Sequence, residues 1–239
     1  MFVLSIIKVC SIVVKKRPEK SESLQDTIPI QPANFGIPAE QALINEINKK
    51  YANRVLHDVG LCICAFDLAE AGEGKVRYGD GCLWYKVKFR MVVFRPFASE
   101  VILAKVKSSD EDGIRLSVGF FDDVYVPLAY LPQPSAFDPN ERAHFWLPDS
   151  NATTAHELLE SPTADRMYID QGEVIRVRVE ADEFYDDEPG PPKAAEGVAI
   201  KREARRPPYT VICSIAEQGL GPVPWWKSVQ PEGEAMEEG

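Results

Sequence analysis

Between residues 101 and 126, three cations and two of the three aromatic rings fall on or beside apolar, strand-like runs: Lys105, Lys107 and Arg115, with Phe121 and Tyr125. Cationic side chains neutralise phosphates and ring faces stack on unpaired bases, so this combination has the chemistry of a single-stranded RNA contact. The same residues also fit a solvated strand face, with Phe120 and Phe121 plugging a barrel interior. Catalytic chemistry has no comparable foothold. The patterns GxSxG, GxGxxG and HExxH and the P-loop are absent, and His57, His144 and His156 lie far apart without a carboxylate or thiol at triad or metal spacing. His57 and Asp58 are neighbours in a turn-like stretch, which reads as a local polar contact. The chain is expected to be no enzyme, with no cofactor and no metal.

The elements that would position these residues are legible from periodicity. Tyr85, Val87, Phe89, Met91 and Val93 alternate with Lys86, Lys88 and Arg90, the signature of a strand with one buried face. Pro96 then interrupts, because proline has no N–H for a central ladder, and it marks a junction between two domains. Upstream, residues 2–7 read as a first strand and 26–31 resume an apolar alternation. Ala42, Leu43, Ile47, Lys50 and Tyr51 recur at helical spacing, predicting an amphipathic helix over about 38–53. Residues 59–68 form an apolar strand, on which Cys62 and Cys64 share a face opposite Ile63. Downstream, 101–106 and 114–118 form a hairpin around a polar turn ending in Gly113, and 123–127, 174–179 and 209–215 supply three more strands. Residues 131–161, with Pro132, Pro134, Pro139 and the aromatic cluster His144-Phe145-Trp146, read as an insertion rather than a strand. Residues 182–208 have the Asp-, Glu-, Pro- and Lys-rich composition of an unstructured loop, and 227–239 form an acidic tail. Five short strands with this insertion between the third and fourth match a five-stranded OB barrel. Trp225-Trp226 would cap that barrel, dock on the first domain or anchor a partner.

Composition narrows the class. A net charge of −10 and a pI near 4.9 exclude nucleic-acid binding by bulk electrostatics. Much of the acid sits in 182–188 and 232–238, so a local contact elsewhere stays open. Five cysteines without disulfide-framework or zinc spacing read as small, buried or half-buried residues of a reducing compartment. The apolar N-terminal run is too short to span a bilayer, and Lys8 interrupts it where a signal peptide needs continuity, so no membrane is expected.

In order along the chain, MFVLSIIK, DTIPIQPANFG, NKKYANRVL, VGLCICAFDL, the GDG turn, FRMVVFRPFASEV, GIRLSVGFFDDVYVP and GLGPVPWW resemble the larger stalk subunit of eukaryotic RNA polymerase III. Its family includes the equivalent stalk subunits of the other nuclear polymerases and of the archaeal polymerase. The resemblance implies an α+β chain: a truncated RNP-like tip domain over 1–96, then a five-stranded OB-fold barrel of the S1 type over 97–226. It implies a heterodimer with a small helical stalk partner, docking on the RNA polymerase III core, contacts with transcription initiation factors, nuclear location and no active site. A free-standing OB-fold RNA-binding protein of processing or translation is the alternative.

One departure stands out. In the family MFVLSIIK runs directly into a DTI-like segment, so residues 9–25 look inserted. Every valine codon begins GT and one of the two glutamine codons ends AG. A short intron retained and translated in frame would account for Val9 through Gln25, as would a genuine loop, and the cDNA sequence distinguishes them.

Overall fold

The computed structural model describes residues 24–148, 154–186 and 206–226. The described residues form two compact units: 24–95 with 184–186 and 206–209, and 96–183 with 210–226.

The first unit is an antiparallel sheet with a helix packed on one face. Its strands are β1 (Leu24–Ile30), β2 (Arg54–Leu56), β3 (Gly60–Ala71), β4 (Lys75–Val76) and β5 (Leu83–Phe94), in the order β1-β5-β3-β2, with β4 also on β5. The helix α1 (Ala39–Tyr51) starts after Pro38, whose carbonyl accepts the Ala42 N–H. Ala42, Leu43 and Ile47 on its buried stripe meet Ile28 and Ile30 of β1 and Val87, Phe89, Met91 and Val93 of β5. The alternation expected of β5 is therefore real, and its polar residues Lys88 and Arg90 point away from the helix to pair with Glu70 and Asp67 on β3. Leu24 and Gln25, at the end of the apparent insertion, are ladder residues paired with Phe89 and Lys88. The rest of that segment and the strand expected at 2–7 lie outside the described residues.

β3 corrects one expectation. Cys62 pairs with Val93 and Cys64 with Val92, so Ile63 is an extra, bulged residue and the two cysteines fall on opposite faces: Cys62 is buried and Cys64 exposed. A further bulge between Ala65 and Asp67 accompanies an Ala65 N–H that donates to Asn48 Oδ1 of α1 at 2.6 Å. Cys82 is half-buried, Cys213 buried, and Cys10 lies outside the described residues. Burial pushes the Cys62 thiol up to about 11; burial, and then Glu180, push Cys213 up to about 12. At pH 8 their thiolate fractions are thus about one in a thousand and one in ten thousand. Iodoacetamide is expected to label Cys64 in the native chain, and Cys62 and Cys213 only in denaturant. Peptide mass spectrometry showing equal native labelling of Cys62 and Cys64 would remove the bulge.

The second unit is a closed five-stranded barrel. β6 (Val101–Asp110), β7 (Gly113–Ser117) and β8 (Val124–Pro127) form an antiparallel meander, and β12 (Val174–Phe184) pairs with β6. β13 (Tyr209–Ser214) runs parallel to β8 and closes the cylinder on β12, while β14 (Gly221–Pro222) adds to β12. Alternate residues fill the interior, among them Ala104, Val106, Ile114, Leu116, Val124, Val126, Ile175, Val177 and Val211. Asp182, Glu183 and Phe184 continue β12 as strand rather than beginning an unstructured loop, and 187–205 lie outside the described residues, as does the tail 227–239.

The stretch between β8 and β12 is an insertion, but one with strands of its own. β9 (Ser135–Asp138), β10 (Ala143–Trp146) and β11 (Met167–Ile169) form an antiparallel sheet in the order β11-β10-β9, joined by the short helix α2 (Ala155–Leu159). Pro134 and Pro139 stand immediately before and after β9, so they bracket a four-residue strand instead of breaking it. Ala136, Phe145, Leu147 and Leu158 make a separate small core. His144 is buried, and its Nε2–H donates to the Asp110 carbonyl at the β6–β7 turn, at 2.9 Å. Burial lowers its pKa, against backbone hydrogen bonds that act the other way, so the ring is a neutral tie between insertion and barrel.

Candidate nucleic-acid interface

Lys105, Lys107, Arg115, Phe121 and Tyr125 lie on β6, β7, β8 and the loop before β8. The β6–β7 hairpin places them. Gly113 closes it opposite Asp110 with φ +154°, and a Cβ there would collide with the Val126 carbonyl and come within 2.8 Å of the Tyr125 hydroxyl. Only glycine lets β8 pass this close. Tyr125 then donates its hydroxyl hydrogen to the Asp112 carbonyl at 2.7 Å, which pins its ring beside the turn. Arg115 is the direct cross-strand neighbour of Tyr125, and both belong to the alternation whose other members, Ile114, Leu116, Val124 and Val126, are buried.

Lys107 faces outward in the same alternation as Lys105 and is the extra residue of a β-bulge between Val106 and Ser108. Its ammonium sits 2.8 Å from Asp122, whose other oxygen accepts from Ser117 Oγ at 2.6 Å. The Lys107 hydrogen bond, followed by that of Ser117, holds the Asp122 carboxyl below the usual carboxylate range. Arg115 Nε stands 4.0 Å from Asp110. Lys105 is exposed and makes no ion pair among the described residues. The face is therefore cationic at Lys105 and internally compensated at Lys107 and Arg115, where an incoming phosphate has to displace a carboxylate.

Phe121 departs from the stacking role expected of it. It is 6% exposed and buried, while Phe120 beside it is 49% exposed. The two sit in the loop before β8, where the strand alternation that sorts side chains inward and outward does not operate. Lys105, Lys107, Arg115 and Tyr125 lie on strands as their spacing predicted, whereas Phe121, in the loop, is buried rather than presented for stacking. Among the described residues no group of three or more His, Cys, Asp or Glu side chains is arranged to hold a metal ion.

Residues 100–226, the barrel with its insertion, match the family model described as RNA polymerase III subunit Rpc25. A protein of Schizosaccharomyces pombe named DNA-directed RNA polymerase III subunit rpc8 is 40% identical over 203 residues, covering 84% of this chain and 96% of its own length. The chain belongs to the Rpc25 family. Residues 25–81 further match the SHS2 domain found in N terminus of Rpb7p/Rpc25p/MJ0397. The Rpc25-family protein of Bos taurus, named DNA-directed RNA polymerase III subunit RPC8, is 39% identical over 85% of this chain and 96% of its own length. The RNA polymerase II subunit RPB7 of Saccharomyces cerevisiae matches less, 29% over 49% of this chain and 69% of its own length. The Rpc25 assignment agrees with the fold: an SHS2 domain, then a five-stranded barrel of the OB type.

Proposed function

We propose that this chain is a non-catalytic stalk subunit of RNA polymerase III, acting in the nucleus during transcription initiation. The observation that carries the reading is the similarity to polymerase III subunits over 84% of the chain at 40% identity. A tip domain over 1–96 docks on the polymerase core, an OB domain over 97–226 projects from it, and a small helical subunit completes the stalk. Initiation factors and nascent single-stranded RNA are the remaining partners. Exposed apolar residues on β3 support a docking role for the first unit: Ile63 is 40% and Phe66 54% exposed, the latter beneath the Arg90 guanidinium. Native purification of the tagged chain is expected to bring down the polymerase III core and a small partner. Recovery as a monomer would instead favour a free-standing RNA-binding protein.

The RNA face comprises Lys105, Lys107, Arg115 and Tyr125, with Phe121 behind them as packing. Replacing Lys105, Lys107 and Arg115 together by alanine is expected to weaken oligouridylate binding. The slope of log K against log salt should fall by about 2, at ~0.7 per phosphate contact. An unchanged slope withdraws these three residues while leaving the polymerase assignment in place.

A further inference from the structure

The folded insertion and the C-terminal turn of the second unit line an open cavity of about 360 Å³ that shares no residue with the cationic face of the barrel. Trp146 of β10, Trp225 and Trp226 of the C-terminal turn, Pro132 and Leu220 form its apolar walls, and Glu217 is the one charged side chain lining it among the described residues. The tryptophans are held rather than collapsed. Trp146 and Trp225 lie with ring centroids 5.5 Å apart, tilted by 33°. The Trp225 ring rests over Gly221, where φ is +93° and a Cβ would meet the ring at 3.1 Å, so glycine is what lets the indole lie there. Trp226 donates its indole N–H to the Leu220 carbonyl at 2.6 Å, and Trp146 reaches the Gln133 carbonyl only at 3.4 Å. The Trp225 N–H has no hydrogen-bond partner among the described residues.

Rigid indole walls, an unused indole donor and a single carboxylate define the class of ligand. Pyrrolidine rings pack on tryptophan faces, and a polyproline II backbone leaves its carbonyls unsatisfied and ready to accept from an indole N–H. A carboxylate at the edge favours a cation on the peptide. Glu217 is 55% exposed and already shared with Arg178, which Glu180 also holds, so it can accept a second donor without being stripped of its first. Nucleic acid is the poorer fit, because no cation among the described residues lines the cavity and Glu217 would face a phosphate. We propose that this cavity binds an extended, proline-containing segment of a partner protein that carries an arginine or lysine beside its prolines. The proposal does not rest on the polymerase reading.

The test titrates the full-length chain, followed by tryptophan fluorescence, with three probes: a proline-rich peptide carrying two arginines, its counterpart with two glutamates, and a short oligouridylate. The arginine peptide is expected to bind about tenfold or more tighter than the glutamate peptide. Trp225→Ala should weaken it by about thirtyfold, as for a central aromatic anchor. Trp225→Phe keeps an aromatic face but removes the N–H together with the outer indole ring that lies over Gly221, so a loss of about fivefold or more is expected even if the alanine variant fails to fold. Glu217→Gln, at an exposed position, should bring the two peptides to parity while retaining proline binding. Absence of saturable binding by either peptide overturns the proposal, as does equal affinity of the wild-type chain for both. Quenching by oligouridylate that Trp225→Phe abolishes would reassign the cavity to nucleic acid, and a concentration-dependent dimer lost in Trp225→Ala would reassign it to a second copy of this chain.

Discussion

Arg166→Ala is expected to destabilise the insertion of the second unit by about 3–5 kcal/mol, the range for removing one partner of a buried ion pair. The side chains of Arg166 and Asp138 are 7% and 6% exposed and lie 3.0 Å apart. Arg166 further donates to the carbonyls of Leu159 and Ser161 at 2.6 and 2.7 Å and to the Tyr168 hydroxyl oxygen at 3.1 Å, and its guanidinium stacks 4.8 Å from the Phe145 ring centre. One cation therefore ties α2, the segment after it, β9, β10 and β11 together around a core of four buried residues too small to hold them alone. Without it, Asp138 keeps the Tyr168 hydroxyl and the Asn140 and Glu141 N–H groups as hydrogen-bond donors, and the two carbonyls lose theirs. Hydrogen exchange at the β10 and β11 amides should rise by more than about a hundredfold. The double replacement Asp138→Leu with Arg166→Met removes both charges and should be far milder than either single change. Protection unchanged in Arg166→Ala would show that the apolar core suffices.

The pH dependence of the same pair follows from its direction of shift. Burial raises the Asp138 carboxyl, but the Asn140 N–H, the Tyr168 hydroxyl, the Glu141 N–H and the Arg166 charge outweigh it, and the net pKa lies below the ordinary 3.8. A carboxyl with a depressed folded pKa stabilises above its unfolded value and loses that contribution as pH falls through the folded one. The Asp138 pair should thus keep its full contribution from neutrality down to about 4 and lose it below, whereas the buried neutral His144, with its pKa lowered, makes the insertion less stable already as pH falls below the ordinary histidine value of 6.5.

How much of this was legible differs by element, for physical reasons. β5 and β12 announced themselves because a strand with one wet face must alternate, and Val87, Phe89, Met91 and Val93, like Ile175, Val177 and Val179, are buried at every second position. The bulge at Ile63 was not legible, since one extra residue inverts the parity on which the cysteine reading depended, and nothing local signals it. β9, β10 and β11 are three or four residues long, too short for periodicity to rise above their prolines. The Arg166–Asp138 pair joins residues 28 apart in sequence, and only the fold brings them together. The strand positions of Lys105, Lys107, Arg115 and Tyr125 were legible from alternation; the burial of Phe121 and the tryptophan cavity depend on loops, where spacing carries no direction.

Phe89→Ala is the corresponding test of the first unit, with an expected cost of about 3–5 kcal/mol. Phe89 is fully buried, its ring centre 5.6 Å from that of Tyr51 on α1, within the cluster formed by Ile28, Leu43 and Ile47. The cavity left by truncation cannot close readily, because β5 is held by backbone hydrogen bonds to β1 on one side and β3 on the other. Phe89→Leu, which fills most of the same space, should cost about 1.5 kcal/mol or less. Urea unfolding followed by near-ultraviolet circular dichroism checks the order of the three proteins. The consequence for function separates the two units. If the first unit is what docks on the polymerase, Phe89→Ala should recover less core polymerase in a native pull-down in proportion to its unfolded fraction, whereas alanine at Lys105, Lys107 and Arg115 should recover the wild-type amount. Equal recovery by Phe89→Ala, with its destabilisation confirmed, would shift the docking surface away from this sheet.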